Sequence, residues 1–260
     1  MADKLKISSL IIAKNEEKNI GRCIKSQLFC IDEIIVLVDA ATTDRTVEIA
    51  SSFDKVICRS VEWKGYGVTK QEGLALASND WIFWIDADEE LTPDLIDEIN
   101  EFKEREHHCP VYELPRRAFF LGRWVRHSGW YPGYVERIFN KQKVRFSTNG
   151  VHEHLVYEGE SGRLESDLNH YTDPSIEHYY TKFNAYTSLA ARDLMKAGKK
   201  AGISDIIIRP LFLFFKMYVL RRGFLDGREG FLLAVFSANY VFTKYAKHWE
   251  LSRNRKGEDI

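Results

Sequence analysis

The sequence predicts an α/β fold in which a mostly parallel sheet is flanked by helices and followed by a helical appendage. From Leu5 to Asn100, strand-like and helix-like patterns alternate with short links, which is typical of crossover connections between parallel strands. Beyond that point the pattern changes to short strand candidates separated by Gly, Pro and Asn, and the chain then becomes helical. The expected parts are a domain over 1–173, with halves 1–104 and 105–173, and a basic helical region over 174–260.

The first half supplies four strands and three helices in alternation. Runs of β-branched and aromatic residues predict the strands, and apolar residues spaced three or four apart predict the buried helix faces. The strands are expected near Ile7–Ala13, Ile34–Val38, Lys55–Arg59 and Trp81–Ile85. The helix faces are expected to carry Ile20, Cys23, Ile24 and Leu28, then Val47 and Ala50, then Leu74 and Ala77. Each crossover between these strands should be right-handed.

The remaining elements follow in two groups. Strand candidates that should complete the sheet and build a second ligand wall are Val111–Leu114, Tyr134–Phe139, Val144–Phe146 and Val151–Val156. Helix candidates cover 175–197, 204–221 and 229–249. The apolar segment Ile203–Leu220 contains a proline and three charged residues, so it should not cross a bilayer. It suits either a membrane interface or packing against the rest of the chain or a partner subunit.

Charge is distributed unevenly along the 260 residues, although the net charge is only −1. Residues 181–260 contain 15 Lys or Arg and 7 Asp or Glu, so this end suits an anionic surface such as lipid headgroups, and no nucleic-acid partner is expected. The apolar stretch near the start is too short for a signal peptide, which favours a cytoplasmic protein. The cysteines lack CxxC spacing and are expected as free thiols: Cys23, Cys30, Cys58 and Cys109.

The segment DWIFWIDADEELTPDL delivers two carboxylates, Asp86 and Asp88, to the end of a buried strand. Thr92 and Pro93 then form a helix start, because Thr is a good N-cap and Pro suits the first helical position. Open α/β folds bind ligands at this carboxyl edge of the sheet. Two neighbouring carboxylates repel unless a cation lies between them, and oxygen ligands favour Mg²⁺ or Mn²⁺. The alternative is that both acids only serve the dipole of the following helix.

Further acids follow the first two strands at the same edge. Asp39 ends the second strand, where it can accept hydrogen bonds from the base or ribose of a nucleotide. Thr42, Thr43 or Asp44 comes next and is expected to cap the following helix. With Glu16 after the first strand, three neighbouring strands present acids along one edge. This arrangement favours a nucleotide site.

Three blocks in this order resemble the nucleotide-binding half of the inverting family 2 glycosyltransferases, which have the GT-A fold. The blocks are SSLIIAKNEEKNI, IIVLVDAATTDRTVEIA and GYGVTKQEGLALASNDWIFWIDADEEL, and they cover roughly residues 5–100. The later blocks VERIFN, VHEH and RRGFLDGREG resemble the lipopolysaccharide-core glucosyltransferase subgroup, of the WaaE or KdtX type. The resemblance implies a nucleotide-binding half over 1–104 and an acceptor-binding half over 105–173.

The resemblance also implies roles for the acids and their neighbours. Ala13 and Glu16 would lie beside the nucleoside of the donor, and Asp39 would contact its base. Asp86 would contact the ribose or a metal-bound water. Asp88 would bind the Mg²⁺ or Mn²⁺ ion that bridges the donor diphosphate.

The general base is expected downstream, because an inverting displacement places it across the sugar from the metal. Family members often carry it in a Glu-Asp pair, which this sequence lacks in the expected acceptor-binding half over 105–173. Glu153 in GVHEH is the first candidate, since a carboxylate between two histidines fits proton abstraction, and Glu136 is the second. Glu136 can instead pair with the adjacent Arg137. His152 is a candidate metal ligand, although a regular strand would turn it away from Glu153.

Three further residues are candidates for substrate contacts. Lys70, whose position in the family often carries Arg or Lys, would approach the nucleotide phosphates; the alternative is a solvated helix lysine. Trp130 and Tyr131 lie in a segment rich in Gly and Pro, and their rings can stack on an acceptor sugar unless they belong to the core.

The sequence and the resemblance together predict a metal-dependent inverting hexosyltransferase. Its donor would be a nucleotide sugar of the uridine diphosphate type, and its acceptor a hydroxyl of a lipopolysaccharide core or another lipid-linked glycan. That acceptor implies a cytoplasmic protein that is peripheral on the inner face of the cytoplasmic membrane, and it leaves a homo-oligomer open. Two alternatives are a polyprenyl-phosphate glycosyltransferase, which needs no strong base, and a non-catalytic membrane-associated protein that binds nucleotide sugars.

Overall fold

The first part of the chain forms a parallel sheet whose strands alternate with helices, as predicted. The computed structural model describes residues 4–147 and 154–257. Its first elements are β1 (Ile7–Ala13), α1 (Ile20–Gln27), β2 (Glu33–Asp39), α2 (Thr46–Ser51), β3 (Val56–Val61), α3 (Tyr66–Leu76) and β4 (Trp81–Asp86). The strands lie side by side in the order β3-β2-β1-β4, and each neighbouring pair is parallel. Their carboxyl ends therefore meet at one edge of the sheet.

Antiparallel strands continue the sheet beyond β4, so the complete sheet is mixed. The next elements are β5 (Glu89–Leu91), α4 (Pro93–Phe102), β6 (Val111–Phe120), β7 (Arg123–Trp124), β8 (Gly133–Asn140), β9 (Arg145–Phe146), β10 (Leu155–Val156), β11 (Ser161–Arg163) and β12 (Leu168–Asp173). The order runs on as β4-β8-β6-β12-β5, while β7 and β11 also pair with β6. The strands β9 and β10 form a separate antiparallel pair. β6 and β8 thus complete the sheet, as predicted. The candidates Val144–Phe146 and Val151–Val156 were expected to do the same, but their strand residues lie in the separate pair β9-β10.

Helices make up the last part of the described chain, close to the predicted ranges. α5 (Ile176–Lys196) begins after Ser175, whose hydroxyl accepts a hydrogen bond from the His178 amide. α6 (Ile203–Phe215) continues as a π-helical segment (Lys216–Leu220), and a 3₁₀ turn (Gly223–Asp226) leads into α7 (Gly227–Gly257). Within the described residues, none of the helices is long and apolar enough to span a bilayer.

The chain forms two compact units, and their bounds differ from the predicted division at residues 117–132 and 171–173. Unit 1 contains Met1–Arg116 and Gly133–His170, and unit 2 contains Arg117–Pro132 and Tyr171–Ile260. Residues 117–132, expected in the acceptor-binding half, therefore group with the helices. The reason is apolar packing, because Phe120 and Val125 are buried in one cluster with Leu233 and Phe236 of α7.

Apolar side chains cover both faces of the sheet in unit 1. Phe83 of β4 lies in a buried cluster with Leu95 of α4 on one face. On the other face, Leu10 and Ile82 lie in a cluster with Leu74 of α3. Burial on both faces explains why the sequences of these strands are nearly continuous runs of apolar residues.

One predicted helix face is wrong. Val47 of α2 is 41% exposed, whereas Thr46 and Ala50 are completely buried. Because α2 has only six residues, few of them can face the core: Thr46 and Ala50, four apart, are buried there, and Ile49 is partly buried beside them. Ala50, the other residue expected on this face, is buried as predicted.

Gly73 allows α3 to lie close against the sheet. A Cβ atom at this position would stand 2.4 Å from Leu10 Cδ1 and 3.1 Å from Leu37 Cδ1, and both of those side chains are buried. Atoms in a close-packed interior cannot approach so closely, so a larger residue would push the helix outward. This contact matters for the site because Lys70 lies one turn earlier on α3.

The first prediction concerns Phe83, which has no exposed surface. Phe83→Ala should lower the free energy of unfolding by about 3–5 kcal/mol, because the surrounding core cannot collapse fully into the cavity. Urea unfolding followed by circular dichroism measures the change. The matched control is Phe29→Ala, since Phe29 is 81% exposed and its loss should cost less than about 0.5 kcal/mol. Equal losses in the two variants would contradict this placement of Phe83.

Candidate active site

Three neighbouring parallel strands bring predicted site residues to one edge of unit 1. β1 lies between β2 and β4, with Ala13 opposite Val38 and Ile12 opposite Asp86. Ala13, Asp39 and Asp86 are the last residues of these three strands. The strand order therefore places them side by side, with the loops that follow the strands above them.

Hydrogen bonds tie the loop after β1 to the loop after β2. The Glu17 amide donates to Asp44 Oδ2 at 3.0 Å, and the Glu16 amide donates to Thr46 Oγ1 at 2.8 Å. Asp44 Oδ1 also accepts a hydrogen bond from the Thr46 amide at the start of α2. The expected cap at Thr42, Thr43 or Asp44 is wrong, because the N-cap of α2 is Arg45 and its side chain makes no capping hydrogen bond; Asp44, one residue earlier, binds the Thr46 amide. Glu16 is thereby held against the start of α2.

Asp39 is almost completely buried, with 4% of its side chain exposed. Its carboxylate accepts hydrogen bonds from Lys14 Nζ at 2.8 Å and from the Ala41 amide at 2.9 Å. The bond from Lys14, followed by the bond from the amide, holds the pKa of Asp39 below its ordinary value. A carboxylate has about four acceptor positions, so Asp39 retains capacity for a further donor.

A buried arginine, Arg137, binds both acids that flank the turn after β4. Its Nη2 atom donates to Asp86 Oδ2 and to Glu89 Oε1, each at 2.7 Å. Glu89 is completely buried and also accepts hydrogen bonds from the Asp86 amide at 3.0 Å and from Arg116 at 3.3 Å. Side chains therefore close the turn that contains Asp88.

Asp86 is an anion at physiological pH. Burial by itself would raise its pKa, but the interactions with Arg137, then Lys70 and His170, outweigh burial and hold the pKa well below its ordinary value. The side chain nevertheless keeps 39% of its surface accessible. The buried thiol of Cys23 donates to the Asp86 carbonyl at 3.5 Å, and burial with the nearby carboxylates raises the pKa of that thiol.

A bulge in β8 determines where Arg137 points. The register of β8 against β6 shifts by one residue, so Arg137 has no residue opposite it across the strand pair. Bulges redirect side chains and are common next to active sites. The guanidinium carbon lies 4.6 Å from the centroid of the Trp84 ring, besides contacting the two acids.

Lys70 is buried, so the alternative interpretation as a solvated lysine is wrong. Only 2% of the residue is exposed, and its Nζ lies 3.5 Å from the centroid of the Trp84 ring. A cation over the face of a tryptophan is attracted by the quadrupole of the ring. The charge of Lys70 also contributes to the low pKa of Asp86.

Asp88 contacts a histidine that the sequence analysis did not select. β4 ends at Asp86, and the turn that follows gives the two carboxylates different partners. Asp88 Oδ2 lies 3.4 Å from Nε2 of His170 in β12, and each side chain is at most 20% exposed. Over residues 4–147 and 154–257, no group of three His, Cys, Asp or Glu side chains is placed to hold a metal ion. Asp88 and His170 are two such side chains in contact, one fewer than such a group needs.

Of the two candidates for the general base, one lies within the described residues and one outside them. Glu153 lies outside the described residues, as does the candidate ligand His152. Glu136 accepts a hydrogen bond from the Tyr157 hydroxyl at 2.6 Å. This bond is the largest cause that raises the pKa of Tyr157 to about 12. The guanidinium of Arg137, considered as a partner for Glu136, binds the two acids of the turn after β4.

Trp130 and Tyr131 are half-buried in unit 2. The Trp130 ring meets the Phe120 ring edge-on, with the centroids 6.3 Å apart, and packs against the buried cluster of that unit. Trp130 therefore contributes to the core of unit 2. A contact of either residue with an acceptor sugar stays a prediction.

The sequence analysis missed Glu89, Arg137 and His170. Arg137 carries a signal, because it stands at a position of β8 where the alternation of the strand predicts an apolar residue. An arginine at such a position indicates a buried acidic partner. His170 carries no local signal, since it reaches the site through the pairing of β12 with β5, in which it lies opposite Glu89.

A family model and several known proteins are similar to this chain. The family model described as glycosyl transferase family 2 matches residues 8–157. An uncharacterized glycosyltransferase of Rickettsia felis is 34% identical over 254 residues, which cover 93% of this chain and 89% of the relative. The lipopolysaccharide core biosynthesis glycosyltransferase LpsC of Rhizobium meliloti is 30% identical over 261 residues, which cover 96% and 94% respectively.

Among solved structures, the mannosyltransferase PcManGT of Pyrobaculum calidifontis, in complex with GDP-Man and Mn²⁺, superposes with a TM-score of 0.56. The match covers 95% of this chain and 88% of that enzyme at 12% identity. At such low identity the likeness concerns the fold alone. The predicted GT-A fold is confirmed.

The second prediction concerns the charge balance around Arg137. Arg137→Met should lower the free energy of unfolding by about 3–5 kcal/mol at pH 7, because it leaves buried Glu89 and Asp86 without their cation. In the wild type the pKa of Asp86 is depressed, so its stabilising contribution is complete above its ordinary value and is lost as the pH falls below it. The deficit of the variant should therefore shrink from pH 7 towards acid, as Asp86, which has lost Arg137, takes up a proton.

Urea unfolding at several pH values measures this deficit. The matched control is Arg163→Met, because Arg163 binds Glu113 at 3.2 Å but is 60% exposed. Its loss should cost less than about 1 kcal/mol at every pH. A large deficit in Arg137→Met that does not change with pH would contradict the explanation by charge.

Proposed function

The chain belongs to glycosyl transferase family 2, and we propose that it is a metal-dependent inverting hexosyltransferase. Its proposed donor is a nucleotide sugar of the uridine diphosphate type, and its proposed acceptor is a hydroxyl of a lipid-linked glycan. The observation that carries the proposal is the pair Asp88 and His170, at the carboxyl edge of a parallel sheet. The adjoining turn is held by Arg137, so the pair belongs to a rigid part of unit 1.

The nucleoside of the donor is assigned to the ends of β1 and β2. Ala13 and Glu16 would lie beside it, and Asp39 would accept a hydrogen bond from its base. Asp39 is suited to this role because Lys14 and the Ala41 amide orient its carboxylate and keep it ionised. Such a carboxylate can accept a hydrogen bond from the ring N–H of uracil.

The diphosphate is assigned to the side of the edge where α3 lies. Lys70 would approach the phosphates, and its position over the Trp84 ring removes its charge from water. A charge with little solvent around it acts more strongly on a nearby anion. Asp86 would contact the ribose or a metal-bound water.

A divalent ion of the Mg²⁺ or Mn²⁺ type fits the residues after β4. Asp88 offers a carboxylate and His170 an imidazole nitrogen, while magnesium commonly takes one or two carboxylates together with substrate phosphates. Asp86 is engaged by Arg137, which suits it less well as a direct ligand. His152 is a further candidate ligand. When bound, the ion would stabilise the negative charge that develops on the leaving nucleoside diphosphate.

The proposed general base is Glu153, and Glu136 is the alternative. The carboxylate would take the proton of the acceptor hydroxyl as that oxygen attacks the anomeric carbon of the donor sugar. Glu136 is the weaker candidate because the Tyr157 hydroxyl already donates to one of its oxygens at 2.6 Å.

The proposed acceptor is a lipopolysaccharide core or a related lipid-linked glycan. LpsC, which is named for lipopolysaccharide core biosynthesis, is similar to 96% of this chain and supports this class of acceptor. Trp130 and Tyr131 would contact an acceptor sugar. A lipid-linked acceptor implies a cytoplasmic protein that works at the inner face of the cytoplasmic membrane.

The third prediction tests the proposed metal ligand. Asp88→Asn should reduce sugar transfer about a hundredfold or more, because the amide keeps the shape of the side chain but loses the charge that holds the ion. Transfer of radiolabelled sugar measures activity, and calorimetric titration of UDP with and without Mn²⁺ measures binding. The wild type should bind UDP more tightly with Mn²⁺, and the variant should lose this difference.

The matched control for Asp88 is Asp80→Asn, which changes an exposed aspartate at the other end of β4. This control should keep wild-type transfer and the Mn²⁺ effect. Full activity of Asp88→Asn would contradict the assignment of Asp88 as a metal ligand.

The fourth prediction separates the two candidate bases. Glu153→Gln should reduce transfer by about 10²–10⁴-fold, since general base catalysis typically contributes that much, and should leave UDP binding unchanged. Glu136→Gln should keep most of the activity. The reverse result would make Glu136 the base, and retention of activity by both variants would contradict a carboxylate base and favour a phosphate acceptor.

A further inference from the structure

An apolar stripe runs along the outer side of α6 and the π-helical segment in unit 2. Its residues recur mainly at steps of four, so they lie on one side of the helix. Eight large apolar side chains form the stripe, each 43% to 73% exposed: Ile203, Ile207, Ile208, Leu211, Phe212, Phe215, Val219 and Leu220. At the rise of an α-helix, the stripe is about 26 Å long.

The opposite side of the same helix is used for packing. Pro210 and Met217 are buried there, and Leu213 and Phe214 pack against the buried cluster that includes Leu233 of α7. An ordinary surface helix has one apolar side and one polar side. The core of unit 2 accounts for one apolar side of α6, and the stripe is a second one.

Exposed cations border the stripe at its carboxyl end. The exposed basic residues are Lys216, Arg221, Arg222 and Arg228. Between residues 206 and 228 the only acid in the sequence is Asp226, and it is buried. Its carboxylate accepts hydrogen bonds from the backbone amides of residues 126 and 127 and lies 2.9 Å from His127 Nδ1. The surface around the stripe is therefore both apolar and positively charged.

An apolar groove of about 440 Å³ adjoins the stripe between α6 and α7. Ile207 and Leu211 of the stripe form one wall, and Val235, Ala238 and Phe242 of α7 line the other. The groove thus extends the exposed apolar surface across both helices.

We propose that the stripe is the docking surface of this protein for an anionic lipid bilayer. α6 would lie in the plane of the interface, with the stripe inserted about 5–10 Å, as far as the acyl boundary. The bordering cations would contact anionic headgroups, which attract basic residues close to the membrane surface. The inference rests on the proposed function only for its setting, a lipid-linked acceptor, because unit 2 alone defines the surface.

Charge complementarity favours a bilayer over a second copy of the chain. A two-fold dimer uses the same patch on both subunits, so pairing through the stripe would bring two sets of exposed cations towards each other. An anionic membrane instead neutralises those cations while it covers the apolar side chains. One occupant therefore satisfies both features of the surface.

The fifth prediction is that the full chain floats with vesicles of phosphatidylcholine and phosphatidylglycerol, and far less with phosphatidylcholine alone. The double change Leu211→Asp and Phe212→Asp should weaken binding to the anionic vesicles at least about tenfold, because it places charge in the acyl region. The matched control is Phe29→Asp, which alters an exposed aromatic residue of unit 1 and should bind as the wild type does.

The contribution of charge is tested separately. Replacing Lys216 and Arg221 by Gln should weaken binding about 25-fold, at about fivefold for each charge. The matched control replaces Lys25 and Lys143, two exposed lysines of unit 1, by Gln. Added salt should weaken the binding of the wild type, since it screens exposed charges.

Calorimetric titration of UDP without vesicles distinguishes docking from the proposed function. The variant with Leu211→Asp and Phe212→Asp should bind UDP as the wild type does, which shows that it is folded. Docking is overturned if the wild type does not float with anionic vesicles or if this variant floats equally well. It is also overturned if light scattering shows a dimer that the same change dissociates, with no vesicle binding. Flotation without any UDP binding would overturn the proposed function and leave docking intact.

Discussion

The proposed catalytic edge depends on the ion pairs that the buried guanidinium of Arg137 makes with Asp86 and Glu89. Taking a cation and two carboxylates out of water is costly, and the cost is offset only where the geometry is good and further hydrogen bonds are made. Glu89 meets this requirement, because it accepts hydrogen bonds from two arginines and from the Asp86 amide. The bulge of β8 and the turn after β4 meet at this network, and the hydrogen bonds of Arg137 link the two.

The network also separates the roles of two neighbouring acids. Asp86 is bound by Arg137, whereas Asp88 is held by the closed turn and contacts His170. Arg137 binds Asp86 and so relieves the mutual repulsion expected of the two carboxylates. This division leaves Asp88 as the proposed metal ligand, and it lowers the negative charge that an incoming diphosphate would meet.

The helical end of the chain differs from unit 1 in how its surface is used. Unit 1 builds its site from hydrogen bonds and charge pairs that folding itself requires. In unit 2, folding uses one apolar side of α6, and the second apolar side is exposed beside several cations. A contiguous patch of apolar side chains that packing within the chain does not use indicates contact with another surface.

Local patterns in the sequence determined β1 to β4, the helix start at Thr92 and Pro93, and the acids at the carboxyl edge, because each depends on residues close together in the chain. Tertiary structure decided the partners of those acids. Arg137 lies 51 positions from Asp86 and reaches it through a bulge, and His170 reaches Asp88 through the pairing of β12 with β5. It also decided that residues 117–132 join the helices and that Val47 faces water. No spacing in the sequence encodes these outcomes, because strand order and packing between distant segments produce them.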